Sequence, residues 1–376
     1  VAIHRSIVDL LGLSIFRQTL HNPPMPSEKQ STTSTTLQRD QQAIVIWLLI
    51  VAALIFAIVV VGGITRLTRS GLSIVEWQPI TGIIPPLNEQ SWLAEFGKYQ
   101  LSPEYLHVNS GMSLAEFKSI FYVEWAHRLL ARFIFGIAVF IPLIYFIVRK
   151  RITRELLPKI VAILILGGLQ GALGWIMVRT GLEKIPRVSP YALTAHLALA
   201  IGIYAYVLWV VLDLRLPQRR NDSVALSRMS WLVTSLVGLM ILAGGFVAGT
   251  KAGYIFNTFP LMNGQFAPPG MYALQPWWTN LFENVATVQF NHRMIAYTLL
   301  IAAIVFYWRA AQSPLPADTR RALRLFLFAI FTQIALGIST LLLIVPVWLG
   351  ALHQGGALVV LTLALYLSHS LRRPIR

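Results

Sequence analysis

The stretch Leu325–Leu371, LFLFAIFTQIALGISTLLLIVPVWLGALHQGGALVVLTLALYLSHSL, contains no Asp, Glu, Lys or Arg. As a single α-helix it would be about 70 Å long, about twice the hydrocarbon core of a bilayer. The run therefore has to turn, and Pro346, which cannot continue the helical hydrogen-bond ladder, marks the place. Reading outward from it toward the N-terminus, the same kind of segment recurs. Spans are expected near residues 43–64, 122–147, 159–178, 191–212, 230–249, 286–307, 325–345 and 348–369. Of the 376 residues, 56% are hydrophobic and 12% charged, against about 25% charged in soluble domains. Mean hydropathy is +0.64. A soluble enzyme, a disordered scaffold and a barrel are excluded, and an all-α membrane protein with eight transmembrane helices is expected.

The net charge of +16 would suggest a nucleic-acid partner if it lay on one soluble face. It does not. Of the 31 Lys and Arg, 20 fall in the N-terminal tail, the loops 148–159, 213–229 and 308–324, and the C-terminal tail. The opposite loops hold 8, and Arg128, Arg132 and Arg293 lie within spans. Short basic loops such as Arg149-Lys150-Arg151 stay inside, which puts both termini on the cytoplasmic or matrix side. Nucleic acid is thereby ruled out as a partner. Residues 1–42 read as a flexible tail. Val1–Leu20 is mildly amphipathic and resembles either a weak mitochondrial presequence or sequence ahead of a true start at Met25. The poor presequence favours a bacterial inner membrane over a mitochondrial one.

The two halves of the chain repeat each other. Gly62-Gly63, Gly71 and Gly82 recur as Gly244-Gly245, Gly253 and Gly264 at a constant offset of 182 residues. Gln170-x-x-Leu173-Gly174 recurs as Gln333-x-x-Leu336-Gly337, His127-Arg128 as His292-Arg293, and His196 as His353. Four spans per half make the repeats parallel. The expected architecture is two pseudo-symmetric parallel four-helix bundles, 43–212 and 230–370, joined by an inner linker, 213–229. Long outer loops, 65–121 and 250–285, follow the equivalent glycine pairs. Trp277 and Trp278 in the second loop read either as interfacial anchors or as part of a lid.

Four of the eight histidines, His127, His196, His292 and His353, fall once in each even-numbered span near its outer end. His4, His21, His107 and His369 read as surface residues. One intramembrane histidine is ordinarily a hydrogen-bonded structural residue. Four, duplicated across a repeat, point to function. With no cysteine in the chain, thiolate sites, disulfides and covalent c-type haem are excluded. Zinc or copper would draw more carboxylate or thiolate ligands than these helices carry. Bis-histidine haem sites fit best, His127 with His196 and His292 with His353. All four lie at one depth, which argues against a wire carrying electrons across the membrane. Gly167, Gly168, Gly171, Gly174, Gly355 and Gly356 serve either close helix packing or clearance for a flat macrocycle. Arg128 and Arg293 either pair with haem propionates or snorkel to the interface.

One position breaks the repeat. Three residues before the histidine the first half has Glu124 and the second has Gln289. Positions i and i+3 share a helix face, so Glu124 should lie beside whatever His127 binds. A desolvated carboxylate there could move protons, with an ordinary ion pair to Arg128 as the alternative. The first bundle is expected to do chemistry and the second to hold a resident haem.

Taken together, Gly62-Gly63-Ile-Thr-Arg66-Leu-Thr-Arg69-Ser-Gly71-Leu-Ser, Glu124-Trp-Ala-His127-Arg128, Gln170-Gly-Ala-Leu-Gly174-Trp-Ile-Met-Val-Arg179, Phe290-Asn-His292-Arg293 and His353-Gln354 resemble the heme A synthase family. The likeness is to the cysteine-free form of Gram-negative bacteria and mitochondria, and it runs from about residue 43 to 370. It implies oxidation of the C8 methyl group of haem O to a formyl group by successive hydroxylations, for cytochrome c oxidase biogenesis. It also implies haem b as cofactor on His292 and His353, haem O as substrate on His127 and His196, and Glu124 as the catalytic carboxylate. Arg66, Arg69, Arg128 and Arg293 would support propionates. The partners it implies are membrane lipid, heme O synthase, oxidase assembly factors and an electron donor, and it is compatible with a homo-oligomer. A bis-histidine b-type cytochrome that only transfers electrons, or a haem transporter or chaperone, are the rival readings.

Overall fold

The computed structural model describes residues 28–78, 81–183, 188–216 and 223–372. Residues 1–27 of the expected tail, with His4 and His21, lie outside this set, as do 217–222 of the expected inner linker. Where no water can satisfy an exposed peptide group, the chain must close its own hydrogen bonds, and long apolar segments do so as helices. Among the described residues, eight helical segments are long and apolar enough to cross a membrane. They are α1 (Glu28–Leu67), a composite second span, α6 (Leu157–Gly181), α7 (Pro190–Arg215), α8 (Val224–Thr250), α9 (Val285–Ala311), α10 (Ala317–Leu342) and α11 (Val347–Ser370). The second span combines α4 (Leu114–Arg132), a π-helical turn over Phe133–Val139 and α5 (Phe140–Val148). Two short outer helices, α2 (Glu89–Gln100) and α3 (Pro103–His107), lie in the first outer loop. The helix that carries the first span starts at Glu28 and takes in the Ser/Thr-rich stretch, while the apolar span within it covers Gln38–Leu67, around the expected 43–64.

Local chemistry sets several boundaries. The uncharged run turns where expected: α10 ends at Leu342 and α11 starts directly after Pro346. Ile344 and Val345 just before the proline take left-handed backbone (φ 59° and 55°), costly for β-branched residues. α4 starts at Leu114 under a Ser113–Glu116 capping box. Its first turns stand clear of the expected span start near 122. There Phe117 and Phe121 pack with Trp92, Phe96 and Tyr99 as a small aromatic core over the outer loop. The π-helical turn precedes Pro142, which offers no N–H to the carbonyl of Ala138. Trp47 of α1 supplies the missing donor, its Nε1–H bonding that carbonyl at 2.6 Å.

Packing follows the repeat. At the centre α7 and α11 touch each other and each touches both α1 and α8, while the second span, α6, α9 and α10 pack outside them. The neighbour pairs come in matched sets. α1 with α4 mirrors α8 with α9, α6 with α7 mirrors α10 with α11, and α1 with α11 mirrors α8 with α7. This arrangement is consistent with two pseudo-symmetric bundles. The halves are tied at three heights. On the outer side Arg66 donates to the carbonyls of Ala248 and Gly249 at the end of α8 (2.9 and 3.3 Å). Midway, the hydroxyls of Tyr204 on α7 and Thr362 on α11 lie 2.8 Å apart. At the inner end Asp213 of α7 receives His369 at 3.0 Å and Arg372 at 2.6 Å, with Lys159 at 3.5 Å. His369, read from sequence as a surface residue, is only 3% exposed and stands edge-on to Trp209. It sits where α11 crosses α7, a crossing the charge pattern of a single helix does not reveal.

Close approach at the seam depends on small residues. A Cβ at Gly249 would lie 2.8 Å from the Pro190 Cα, a backbone atom that cannot rotate away. Gly249→Ala should therefore lower stability by about 1–3 kcal/mol, the range for overpacking. Gly202 and Gly238 face open space, so alanine there should be neutral or stabilising. Thermal unfolding of the three variants in detergent checks the contrast, and equal effects would contradict it.

Candidate functional site

Each of the four intramembrane histidines rests on a glycine of the adjacent helix. A Cβ built on Gly62 of α1 would lie 3.1 Å from the His127 Cε1, and one on Gly174 of α6 would lie 3.0 Å from the His196 Cε1. In the second half Gly244 of α8 faces His292 at 3.4 Å, and Gly337 of α10 faces His353 at 2.9 Å. The repeat therefore duplicates a unit in which an imidazole lies against bare backbone. At Gly62, Gly174 and Gly337 a Cβ would press on the ring, and at Gly244 it would just touch it, so glycine here lets the backbone set where the imidazole lies. Of the other small residues, Gly168 and Gly171 face open space, while Gly167 abuts Phe135 and Gly355 faces Val60 and Phe56.

A second holder serves half of the set. Gln170 sits one helical turn before Gly174, with its Nε2 3.2 Å from either ring nitrogen of His196 and 3.0 Å from that residue's carbonyl. Gln333, one turn before Gly337, repeats this on His353, at 3.1 Å from Nδ1 and 2.7 Å from the carbonyl. Gly356 leaves the room that the Gln333 amide occupies. These glutamines stood in the sequence as repeat markers without a role. Their signal was the Gln-x-x-x-Gly spacing one helix ahead of each histidine.

His127 and His196 lie within electrostatic range of each other, as do His292 and His353. Among the described residues no three His, Cys, Asp or Glu converge on a metal-sized site. The donor set at each site is thus two imidazoles in an apolar bundle, which suits iron already held in a macrocycle and lacking only axial ligands. Unsatisfied buried atoms point the same way. His127 Nδ1, His292 Nδ1, Gln170 Oε1 and Gln333 Oε1 are buried without hydrogen-bond partners. Buried polar atoms of this kind ordinarily find one. On donor chemistry, glycine seats and orphaned atoms, both sites fit a bis-histidine haem.

Glu124 is 2% exposed and fully engaged. One carboxylate oxygen accepts from Arg128 Nη2 and Nε at 2.6 and 3.0 Å. The other accepts from the Ser73 hydroxyl at 2.7 Å and the Ile74 N–H at 2.8 Å. The ion pair with Arg128, which the sequence offered as the alternative for Glu124, is present. The carboxylate also pins the start of the outer loop. Arg128 reinforces this by donating to the carbonyls of Ile74 and Glu76 at 2.9 and 3.2 Å. The second half builds the same brace without an acid. Gln289 donates to the carbonyls of Ala252 and Phe256, and Arg293 to those of Phe256, Thr258, Pro260 and Leu261, at 2.9–3.4 Å. Both arginines donate to loop carbonyls, Arg128 sharing its donors with Glu124.

Among the remaining candidates, Arg66 caps α8, and Arg69 is exposed in left-handed backbone (φ 54°). Lys251, the repeat equivalent of Arg69, adopts the same conformation (φ 59°). Glu104, 6% exposed in α3, feels the charge of both cations. Burial raises its carboxyl above the ordinary range, while the charges of Lys251, Arg69 and Arg66 act to lower it. Trp277 and Trp278 stay 62% and 50% exposed, as interfacial anchors would. A pocket of about 350 Å³, lined by Trp77, Arg128, Trp175 and Arg179, opens outward beside the Glu124–Arg128 pair.

Fold and site together define a class: a multi-pass helical membrane protein carrying a duplicated two-histidine site. A family model described as cytochrome oxidase assembly protein matches residues 45–365. The chain is 52% identical to the heme A synthase of Nitrosospira multiformis over 318 residues, covering 84% of this chain and 89% of the relative. It is 48% identical to the heme A synthase of Nitrosomonas eutropha over 317 residues (83% and 89%). The heme A synthase of Parvibaculum lavamentivorans is 46% identical over 314 residues (84% and 90%). The chain belongs to the heme A synthase family.

Arg128→Leu would remove the cationic partner of Glu124 while leaving Ser73 and Ile74. We expect a loss of about 1–3 kcal/mol and earlier proteolytic cutting within residues 68–78. Arg293→Leu should have the matching effect on 251–265. Limited proteolysis checks both, and unchanged cutting in either variant would contradict the brace assigned to that arginine.

Proposed function

We propose that this chain is a heme A synthase that oxidises the C8 methyl group of haem O to a formyl group, by successive hydroxylations and loss of water. The observation that carries the reading is one difference inside an otherwise duplicated site. Both halves seat a histidine pair on glycines, yet only the first sets an acid, Glu124, three residues before its outer-bundle histidine. The names of the relatives support the same assignment.

In this reading His292 and His353 hold haem b, and His127 and His196 hold haem O while its methyl group reacts. When bound, haem b supplies one-electron redox capacity. The chain's own contribution is placement. Glycine seats fix the direction of each imidazole, Gln170 and Gln333 restrain His196 and His353, and the apolar helices keep water from the reacting carbon. Glu124 holds or moves a proton at its carboxylate. Its present donors, Arg128, Ser73 and Ile74, would be partly exchanged for the substrate's groups. Arg66, Arg69, Arg128 and Arg293 stand at the outer ends of their helices, where the propionates of a bound macrocycle need counter-charge. With Arg128 and Arg293 engaged in the loops, Arg69 is the more accessible cation of the first half. Heme O synthase as supplier, oxidase assembly factors as recipients and an electron donor complete the setting. We assign both termini to the inner side on the distribution of Lys and Arg, and the membrane to a bacterial inner membrane in keeping with the organisms of the relatives.

Glu124→Gln should retain haem in both halves and accumulate haem O or a partly oxidised product, with the rate falling about 10²–10⁴-fold. Unimpaired haem A formation would remove the catalytic role. His292→Ala and His353→Ala should each strip the resident haem or change its spectrum. Unchanged spectra in both would mean that the roles of the halves are reversed.

A further inference from the structure

The two glycines at the outer end of α1 face different partners. Gly62 lies against the His127 imidazole, whereas Gly63 lies against Gln354, the residue after His353 on α11. A Cβ at Gly63 would overlap the Gln354 amide, so any side chain there would have to displace it. Through that gap Gln354 Nε2 donates to the Val59 carbonyl at 2.9 Å, one turn before Gly63. One turn of α1 backbone therefore carries a hydrogen bond from the second half on one side and the first-half imidazole on the other. The neighbouring contacts tighten the same seam, with Gly355 of α11 against Val60 and Phe56, and Gly350 against Leu67.

The repeat supplies an internal comparison. At the mirror seam Gly244 lies against His292, and Gly245 lies against Thr194 and Leu197 of α7. Leu197 follows His196 as Gln354 follows His353. One seam carries a side-chain donor to the backbone beside the histidine seat; at the equivalent place in its mirror the Thr194 hydroxyl and the Leu197 side chain meet Gly245, and that hydroxyl bonds no backbone carbonyl. The difference is directional. The helix bearing the second histidine pair grips the wall of His127, while the wall of His292 is not gripped in return.

We infer that Gln354 is a positioning residue that couples the two histidine sites. By filling the gap at Gly63 and bonding Val59 it sets the backbone wall against which His127 meets a haem, in register with the neighbouring His353. The inference rests on the proposed function in taking the first-half ligand to be haem O.

The test uses holoprotein in detergent titrated with haem O, reading resident-haem content and the spectrum of added haem separately. Gln354→Met keeps the length of the side chain and removes the donor. It should keep one resident haem per chain with an unaltered spectrum, while haem O affinity falls about two- to tenfold, the range for one neutral hydrogen bond. Gly63→Ala, which displaces Gln354 from the opposite helix, should weaken haem O binding in the same direction. Tyr204→Phe breaks a different bond between the halves and should leave that affinity unchanged. Wild-type affinity in both Gln354→Met and Gly63→Ala overturns the proposal. Equal weakening by Tyr204→Phe overturns it too, by reducing the effect to general loosening of the seam. Loss of resident haem in Gln354→Met would confine the residue to the His353 site and also overturn it. No haem O binding by the unaltered protein would instead strike the proposed function itself.

Discussion

An imidazole inside an apolar bundle has few ways of being held. Lipid-facing helices offer no water; a glutamine amide reaches two of the four rings, Gln170 at His196 and Gln333 at His353, and what all four share is a fit of shape. Here the shape is a glycine on the facing helix, used four times. Gly62, Gly174, Gly244 and Gly337 each bring backbone against a ring, and each therefore also fixes how closely two helices approach. The site and the packing of the bundles are the same constraint. Moving a helix outward to admit a larger residue would release the histidine, and turning the histidine away would leave a void at the contact.

Much else follows from that geometry. The seats occur between α1 and α4, α6 and α7, α8 and α9, and α10 and α11, so every membrane span contributes a histidine or the glycine beneath one. The outer loops are held by residues near the same histidines. Glu124 and Arg128, or Gln289 and Arg293, lie within four residues of His127 or His292 and bond the loop that follows the glycine-bearing helix. Loop, ligand and seat form one mechanical unit in each half. The two units differ in chemistry where an acid in one is an amide in the other, and in their seams, where Gln354 faces Gly63 but Leu197 faces Gly245.

The parts legible in the sequence were those set by composition and repetition. Apolar runs gave the eight spans, Pro346 gave the turn between the last two, and the duplicated motifs matched His127 to His292 and His196 to His353. What stayed hidden depends on contacts between distant segments. The arginines beside two histidines suggested propionate partners or snorkelling, yet their donors are directed at carbonyls of loops that only the fold brings over them. His369 looks like the polar end of a helix until Asp213 and Trp209 close around it. The π-helical turn could be suspected from Pro142 alone, but not that Trp47 would satisfy Ala138. Gln354 reads as the second letter of a motif, and its role emerges only when Gly63 is seen across the seam.

The central claim is that one half retains a haem while the other turns one over, and the haem content of the purified protein addresses it directly. The protein is expressed with a source of haem O, purified in detergent, and its extracted haems are identified by chromatography and mass. The account predicts haem b together with haem O and haem A. Haem b alone, with haem O abundant in the cells, would contradict it and leave an electron-transfer cytochrome in which Glu124 only braces the outer loop.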